Sequence, residues 1–447
     1  MNTVAPASAS AAAERLVEEL ARSVGRATPL GMRGRVSQAV GMLVQAVGIQ
    51  AHVGELCELA TGEEPPLLAE VVGFQGQTAL LTPLGPTTGI STLTEVRPCG
   101  RGLTCPVGTA LLGRVVNALG QPIDGRGPIA AGARAVVRRD PPPPMMRRPI
   151  RQALATGIRA VDGLLTLGEG QRMGVFAPPG TGKSTLLGML ARASEADVIV
   201  VALIGERGRE VREFIESNLD ATRMERTVMV VSTSDRPPME RVKSAEVATT
   251  IAEHFRDQGL RVLLLVDSLT RYARAQREIG LACGEPPTRR SYPPSIFTML
   301  PQLLERAGPG ERGSITAVYA VLTEGDEEND PIAEEVRSIL DGHIVLSRKL
   351  AAANHFPAID VLASLSRVMP QVATAAQMAA AGRFRAMLSR YQEVEMLIQI
   401  GEYRRGGDAQ ADLAVSQRPA MLRLLQQAPN ERSSPADTLA LLRKVAP

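Results

Sequence analysis

The pattern of hydrophobic and polar positions changes along the chain, and each change predicts a different kind of structure. Residues 1–33 begin with an alanine- and serine-rich run, after which apolar residues recur at helical spacing from Leu16 to Val24. This spacing predicts a short amphipathic helix, which is either a docking peptide for a partner or a lipid surface, or part of a flexible, solvated tail. Residues 34–101 contain short apolar runs separated by glycine and proline turns. They predict a β-barrel or sandwich, which we interpret as a β-barrel assembly domain.

The later part of the chain alternates strand-like and helix-like patterns. Residues 102–150 form a glycine-rich connector that ends in Pro141–Pro144, a run that favours a stiff extended segment. Unbroken apolar runs then alternate with helical patterns up to about residue 375, and these runs are Met173–Phe176, Val198–Ile204, Val262–Val266 and Ile315–Leu322. The alternation predicts an α/β domain over 102–375 with a parallel sheet, which binds ligands at the carboxyl ends of its strands. Residues 376–447 are rich in alanine and leucine at helical spacing and predict a C-terminal α-helical domain.

The segment that follows the first of these runs carries the strongest chemical signal. It reads APPGTGKST over Ala177–Thr185 and leads into a helical pattern. A strand, a glycine-bearing loop and a helix in this order form a phosphate cradle, because glycines let backbone N–H groups turn inward and the helix N-terminus adds positive charge. Lys183 then reaches the β- and γ-phosphates, and the Ser184 hydroxyl binds Mg²⁺. The sequence therefore predicts binding of a nucleoside triphosphate, and the candidate contacts are Pro179, Gly180, Thr181, Gly182, Lys183, Ser184 and Thr185.

One position of this segment departs from the usual G-x-x-x-x-G-K-[ST] pattern, because Ala177 replaces the first glycine. Alanine is compatible with the loop if its φ angle is negative. The alternative interpretation is a structural turn before an amphipathic helix. It is disfavoured because Gly-Lys-Ser between a strand and a helix is specific for phosphate binding.

Charged residues follow the next two apolar runs. A carboxylate in the place of Glu206, at a strand end that faces the cradle, suits the orientation of an attacking water, and the alternative is a helix-capping acid. Asp267 ends the following run, which is the usual place for an acid that supports Mg²⁺ directly or through water. Arg207 and Glu210 either pair with each other or organise the pocket. Arg271 either senses phosphate or makes a surface salt bridge.

Composition limits the class of protein without identifying it. The formal charge of +3 is small for 447 residues, so any nucleic-acid footprint would have to be a local patch. The four cysteines form no C-x-x-C pair and predict reduced thiols in a cytosolic protein; they are Cys57, Cys99, Cys105 and Cys283. The N-terminus lacks the layout of a secretion signal, and no apolar stretch approaches the length of a membrane span. We therefore expect a cytoplasmic protein that reaches membranes only through partners.

Several segments together resemble the catalytic subunit family of rotary-type ATPases. They are the cradle, Gly205–Glu210, Val262–Arg271 and Pro357–Arg367, the last of which matches the family signature P-[SAP]-[LIV]-[DNH], three residues, then S-x-S. Within this family the chain is most similar to the export ATPases of type III secretion systems. That similarity lies in Gly205–Glu216, Ala275–Leu281, Leu303–Gly308 and Asp341–Arg348, and overall it extends from about residue 34 to about residue 406.

The resemblance implies an N-terminal β-barrel, a central α/β RecA-like P-loop ATPase domain and a C-terminal helical domain, assembled as a homohexamer with nucleotide sites between subunits. It implies ATP as the nucleotide, with Mg²⁺, and Glu206 as the water-activating residue. It also implies that Arg367 is an arginine finger supplied by a neighbouring subunit and that Phe356 stacks on adenine, whereas the residue pattern alone favours a core phenylalanine at Phe356 and assigns no role to Arg367. The candidate catalytic residues are Glu206, Lys183, Arg367 and Arg207, and the candidate Mg²⁺ ligands are Ser184 and Asp267.

The resemblance further implies a function in protein secretion. The ring would sit at the cytoplasmic base of the apparatus, at the inner membrane, and would release chaperones and unfold exported proteins. Expected partners are central stalk and peripheral stator proteins and effector–chaperone complexes, with no nucleic acid. One alternative is the flagellar export ATPase. A second is a non-catalytic ring subunit, which has no need of Glu206, and a third is an RNA translocase, which the low aromatic content of 3% disfavours.

Overall fold

The structure, a computed structural model, describes Val17 and residues 33–60, 65–130, 132–323 and 330–446. The predicted N-terminal helix therefore lies outside the described residues, apart from the exposed Val17. Contacts divide the chain into two compact units. One unit extends up to Pro83 and includes Thr87–Arg101, and the other contains Leu84–Pro86 and Gly102–Pro447. No helix in these described ranges is long and apolar enough to cross a membrane.

The first unit is a closed antiparallel barrel with the strand order β1-β2-β5-β4-β3-β6. Its strands are β1 Gly34–Val40, β2 Leu43–Val47, β3 Leu56–Ala60, β4 Leu67–Gln75, β5 Thr78–Pro83 and β6 Glu95–Pro98. Buried side chains alternate with less buried ones along β2, as a strand with one face toward a core requires. The core includes Val44, Leu59, Val71 and Leu81, all fully buried. The predicted barrel is therefore confirmed.

The second unit contains a nine-stranded sheet with the order β19-β18-β12-β17-β15-β13-β14-β8, and β16 pairs with β17. Neighbouring strands are parallel except at β19 and β16, which run antiparallel to their partners. The strands of this unit are β7 Thr104–Val107, β8 Val115–Val116, β9 Ala133–Val136, β10 Ala153–Leu154, β11 Leu167–Gly168, β12 Arg172–Ala177, β13 Val198–Glu206, β14 Thr227–Thr233, β15 Arg261–Asp267, β16 Gly308–Pro309, β17 Ser314–Leu322, β18 Gly342–Leu346 and β19 Ile359–Ser366. The predicted parallel sheet is confirmed, since each apolar run forms one of its strands.

Helices cover the sheet and continue into a C-terminal helical region. They are α1 Arg159–Leu164, α2 Lys183–Ala193, α3 Gly208–Asn218, α4 Ala221–Met224, α5 Pro238–Asp257, α6 Leu269–Ala282, α7 Ile296–Leu304, α8 Pro331–Ile339, α9 Arg348–Ala352, α10 Met369–Val372, α11 Ala375–Gln399, α12 Ala409–Leu425 and α13 Pro435–Val445. Short 3₁₀ turns lie at Thr109–Leu111, Pro144–Met146 and Arg289–Ser291. The C-terminal helices pack on α1, and Phe384 and Leu442 share one hydrophobic core with the sheet residues Val175 and Leu265.

The connector is more integrated than its glycine-rich sequence predicts. Strands β7 and β9 pair with each other, and the two-residue strand β8 joins the central sheet beside β14. The prolines Pro141–Pro143 lie outside regular structure, as expected. The four cysteines are free thiols, and Cys57 and Cys105 are buried.

Candidate active site

The predicted phosphate cradle has the backbone that its sequence requires. Strand β12 ends at Ala177, and α2 begins at Lys183. Gly180 and Gly182 have φ angles of +80° and +87°, a region that side chains with a Cβ rarely adopt. Ala177 is not among the non-glycine residues with positive φ, so the missing first glycine leaves the loop unstrained.

The cradle loop is stabilised by an internal hydrogen bond, and part of it is exposed. The buried Thr181 hydroxyl donates a hydrogen bond of 2.7 Å to the carbonyl of Pro178, which fixes the turn. The remaining loop residues Pro179 and Gly180 are exposed, as are Ser184 and Thr185 in the first turn of α2. Backbone N–H groups and hydroxyls at this surface are therefore accessible to a phosphate chain.

The cradle lysine meets two carboxylates at the carboxyl edge of the sheet. The Lys183 ammonium forms an ion pair with Asp267 and lies 3.5 Å from Oε1 of Glu206. Glu206 ends β13 and Asp267 ends β15, and these neighbouring parallel strands bring both residues to the same edge. Glu206 and Asp267 are only 7% and 3% exposed. The structure thus assembles three of the predicted functional residues into one buried group.

The surroundings of Glu206 change its acidity. Burial raises the pKa of the Glu206 carboxyl above its usual value, and the negative charge of Asp267 raises this pKa further. The positive charges of Lys183 and Arg271 act in the opposite direction. A carboxylate with a raised pKa is a stronger base, which suits proton transfer from an attacking water.

Arg271 also contacts this group, and Gly205 leaves the space that its side chain needs. Nε of Arg271 lies 3.3 Å from Oε1 of Glu206. A Cβ at position 205 would approach the Arg271 side chain to 2.8 Å, so only glycine leaves room for the arginine here. Of the two alternatives for Arg271, the structure therefore supports a salt bridge, but one inside the site rather than on the surface.

The site fits a hydrated Mg²⁺ ion bound together with a phosphate chain. Mg²⁺ prefers oxygen ligands and usually keeps several waters beside one or two carboxylates. Ser184 is exposed at the start of α2, and the Asp267 carboxylate forms an ion pair with the preceding residue, Lys183. Buried Oε1 of Glu206 accepts no hydrogen bond from any described residue, and the Ser268 hydroxyl also has no partner within those residues. Both oxygens can therefore still accept a hydrogen bond from a water of the ion, although Oε1 of Glu206 also lies within ion-pair distance of Lys183 and Arg271.

A cavity of about 590 Å³ adjoins this group between α2 and α3. Its lining includes Ser184, Glu206 and Asp267, as well as Glu210 and Glu213 of α3. Phe356 lies beside the cradle, where a Cβ on Gly182 would be 3.5 Å from its ring. Phe356 is 37% exposed, so its ring is accessible beside the cradle, as a base-stacking residue must be.

Arg207 is not brought into the lysine–carboxylate group. Its side chain is 77% exposed and lies 3.3 Å from Glu210, at the start of α3. The pairing of these two residues was one of the alternatives from the sequence. A direct catalytic role for Arg207 remains a prediction.

Arg367 lies at the opposite edge of the sheet from the cradle. Because β19 runs antiparallel to β18, it begins beside Leu346 at the cradle edge and ends beside Gly342. The Arg367 N–H donates to the carbonyl of Asp341 at 3.0 Å, and the Asp341 carboxylate accepts from the N–H of Arg172, the first residue of β12. The exposed Arg367 side chain is therefore separated from its own cradle by the length of β12.

Sequence reasoning missed the residues that the C-terminal region adds to the site. Arg192 near the end of α2 donates to the carbonyl of Pro429 at 2.8 Å, and Pro429 and Asn430 line the cavity. The N–H of Gln427 donates to the carbonyl of Phe356 at 2.9 Å. No local pattern marks these residues, because their partners lie far away in the sequence.

Comparisons with known families match most of the chain. The model described as "ATP synthase alpha/beta family, beta-barrel domain" matches residues 36–100. The model "ATP synthase alpha/beta family, nucleotide-binding domain" matches 157–366. The C-terminal residues 373–444 match "T3SS EscN ATPase C-terminal domain".

Individual proteins are similar over nearly the whole chain. A "Type 3 secretion system ATPase" of Xanthomonas euvesicatoria is 57% identical over 92% of this chain and 93% of its own. A "Flagellum-specific ATP synthase" of Bacillus subtilis is 47% identical over 92% and 94%, respectively. The solved structure of the assembled ATPase EscN from enteropathogenic E. coli superimposes with a TM-score of 0.89 at 46% identity, covering 93% of this chain and all of that one. EscN in complex with its central stalk EscO gives a TM-score of 0.86 at the same identity and coverage.

Proposed function

This chain belongs to the type III secretion ATPases of the ATP synthase alpha/beta family, and we propose that it hydrolyses ATP at sites shared between the subunits of a homohexameric ring. It is an ATPase that energises type III secretion. The observation that carries the proposed mechanism is the buried group of Lys183, Glu206 and Asp267 at the head of an open phosphate cradle. Hydrolysis needs a residue that orients water and positive charge that stabilises the transferring phosphoryl group, and this group supplies both.

Each residue of the site has a proposed role. The cradle N–H groups and Lys183 bind the phosphate chain, and Phe356 stacks on the base. Glu206 orients the attacking water and accepts its proton, for which a raised pKa is suited. Ser184 and Asp267 are the residues that would hold Mg²⁺ or its waters. When bound, Mg²⁺ neutralises charge on the phosphate oxygens.

We assign Arg367 to the site of a neighbouring subunit. Its position at the far edge of the sheet supports this assignment, because the cradle of its own subunit is out of its reach. An arginine supplied in trans stabilises transition-state charge and accelerates phosphoryl transfer by roughly 10³–10⁵-fold. An isolated subunit is then a poor enzyme.

The partners are proposed from the solved relatives. EscN has been solved as an assembled ATPase and with its central stalk EscO, which supports a ring with a stalk for this chain. We extend this to peripheral stator proteins and effector–chaperone complexes at the inner-membrane base of the apparatus, where the ring releases chaperones and unfolds exported proteins.

The flagellar export ATPase is the alternative within the same family. The chain is 57% and 52% identical to secretion ATPases of Xanthomonas euvesicatoria and Sinorhizobium fredii, but 47% and 49% identical to flagellar enzymes of Bacillus subtilis and Pseudomonas aeruginosa. This difference favours the secretion apparatus. Deleting the gene from its source organism separates the two, since loss of effector export with normal motility supports secretion, and loss of motility alone contradicts it.

The catalytic proposal is tested by phosphate release from Mg-ATP over a range of protein concentrations. Specific activity should rise steeply with concentration, and Glu206→Gln and Arg367→Ala should abolish it. Glu213→Gln is the matched control, because Glu213 lines the same cavity from an exposed position on α3. ATP binding without hydrolysis at any concentration would instead identify a non-catalytic ring subunit.

A further inference from the structure

The loop between α12 and α13, residues 426–434, joins the C-terminal helices to the candidate base-binding residue. The backbone N–H of Gln427 donates a hydrogen bond of 2.9 Å to the carbonyl of Phe356. The same loop accepts a hydrogen bond from Arg192 of the cradle helix through the carbonyl of Pro429. The loop therefore contacts the site from two directions.

The side chain of Gln427 fixes this loop against the start of α1. It is only 4% exposed, and its Oε1 accepts from the N–H of Arg159 at 2.8 Å. Its Nε2 donates to the carbonyls of Gly157 and Glu431 at 2.7 and 2.9 Å. This buried amide uses both of its donors and one of its two acceptor lone pairs. A methionine of similar length would leave the Arg159 N–H and the Gly157 carbonyl without these partners, and buried unpaired groups are costly.

This anchoring acts on the ring that faces the cradle. The Phe356 side chain lies next to Gly182, where an added Cβ would be 3.5 Å from the ring, and it stays accessible to a ligand. Its backbone carbonyl is the acceptor for Gln427, so the loop is attached to the backbone that carries the aromatic ring. A displacement of Gln427 would therefore displace the backbone that carries the Phe356 ring, whereas the hydrogen bonds of Gln427 within the described part of the chain do not involve the lysine–carboxylate group.

We propose that Gln427 is a positioning residue that holds Phe356 against the cradle and thereby sets the affinity of the site for the nucleotide base rather than for its phosphates. The inference rests on the proposed ATPase function and deepens it. Stacking of a base on an aromatic ring depends on the position of the ring, whereas the cradle binds phosphates through backbone groups that Gln427 does not contact. The C-terminal helical region is in this way coupled to recognition of the base.

The test compares ATP with inorganic tripolyphosphate, which has the phosphates but no base. In the full-length protein, Gln427→Met should raise the KM for ATP by about tenfold, which corresponds to a large part of the contribution of one stacked base. The inhibition constant of tripolyphosphate against ATP hydrolysis and the kcat should both change less than about twofold, because the phosphate contacts persist. Gln426→Met is the matched control, since that neighbouring side chain is exposed. Gln427→Glu, which keeps the acceptor but loses both donors, should shift the same constant if the methionine variant does not fold.

The outcomes separate this inference from the proposed function. Phe356→Ala should also weaken ATP selectively, and combining it with Gln427→Met should add little, because both changes remove the same stacking contact. If Gln427→Met weakens ATP and tripolyphosphate equally, or weakens neither while Phe356→Ala affects ATP, Gln427 does not position the ring. If Phe356→Ala itself leaves the ratio of the two constants unchanged, the base-stacking role of Phe356 fails and the inference fails with it, while ATP hydrolysis by the chain stands.

Discussion

Two inactive variants should restore each other's activity if Arg367 acts on a neighbouring subunit. Glu206→Gln disables the cradle of its own subunit but leaves Arg367 intact, whereas Arg367→Ala leaves the cradle intact. Each variant alone should lose hydrolysis. In a ring of mixed subunits, some interfaces combine the intact cradle of one variant with the intact arginine of the other.

The structure explains why the restored activity needs a neighbouring subunit, and random mixing of subunits gives its expected size. Strand β12 advances by five residues from Arg172 to Ala177, which at about 3.3 Å per residue separates the two edges of the sheet by roughly 17 Å. Because Arg367 is attached at the Arg172 end, its side chain cannot span the distance to its own cradle. Random mixing of equal amounts gives a functional combination at about one interface in four, so about a quarter of the wild-type activity is expected from independent interfaces.

The assay is phosphate release from Mg-ATP after the two variants are mixed as monomers and allowed to assemble. The matched control mixes Glu206→Gln with Lys183→Ala, since both changes disable the cradle and no interface can combine intact partners. This control mixture should stay inactive. A mixture of Glu206→Gln and Arg367→Ala that is no more active than its separate components would refute the assignment of Arg367 to the neighbouring site.

Three further predictions follow from single contacts. Replacing Arg271 by alanine removes a positive charge that lowers the pKa of Glu206, so the acid limb of the pH profile of kcat/KM should move to higher pH. Arg271→Lys keeps the charge and should leave this limb near its wild-type position. An unchanged limb in both variants would argue against Glu206 as the base. Gly188→Ala should lower the free energy of unfolding by about 1–3 kcal/mol, because its Cβ would lie 1.8 Å from the Asn218 side chain. In urea titrations, the double variant Gly188→Ala/Asn218→Ala should lose less unfolding free energy than the sum of the losses of the two single variants. Ala177→Gly, which restores the usual first glycine of the cradle, should cost about 0.5–1 kcal/mol of stability and leave the KM for ATP unchanged; a lower KM would mean that Ala177 restricts the loop.

The sheet and the cradle were predictable because their signals are local. The apolar run Val198–Ile204 became β13, and the Gly-Lys-Ser sequence became the turn into α2. The positions of Glu206 and Asp267 near the cradle also followed from the sequence, since parallel strands end at one edge, whereas their ion pairs with Lys183 were found only in the structure. Strand β8 was not predictable, because a pair of valines in a glycine-rich connector carries no periodic pattern.

The position of Arg367 and the role of Gln427 needed the structure. Hydrophobic pattern does not encode whether β19 runs parallel or antiparallel to its neighbour, yet this direction decides which edge of the sheet Arg367 occupies. The side chain of Gln427 bonds to residues 268 and 270 positions away. Contacts of such separation depend on how the C-terminal helices return to the sheet, which no local spacing expresses.

The antiparallel direction of β19 has a mechanical consequence for a ring. The strand starts three residues after Phe356, the candidate base-binding residue, and ends one residue before Arg367, the candidate arginine finger. With these proposed roles, the single edge strand β19 would link the nucleotide site of one subunit to that of the next subunit in the ring. A shift of the strand at one site would then be passed to the neighbouring site through the backbone alone, so the direction of one strand would couple successive subunits.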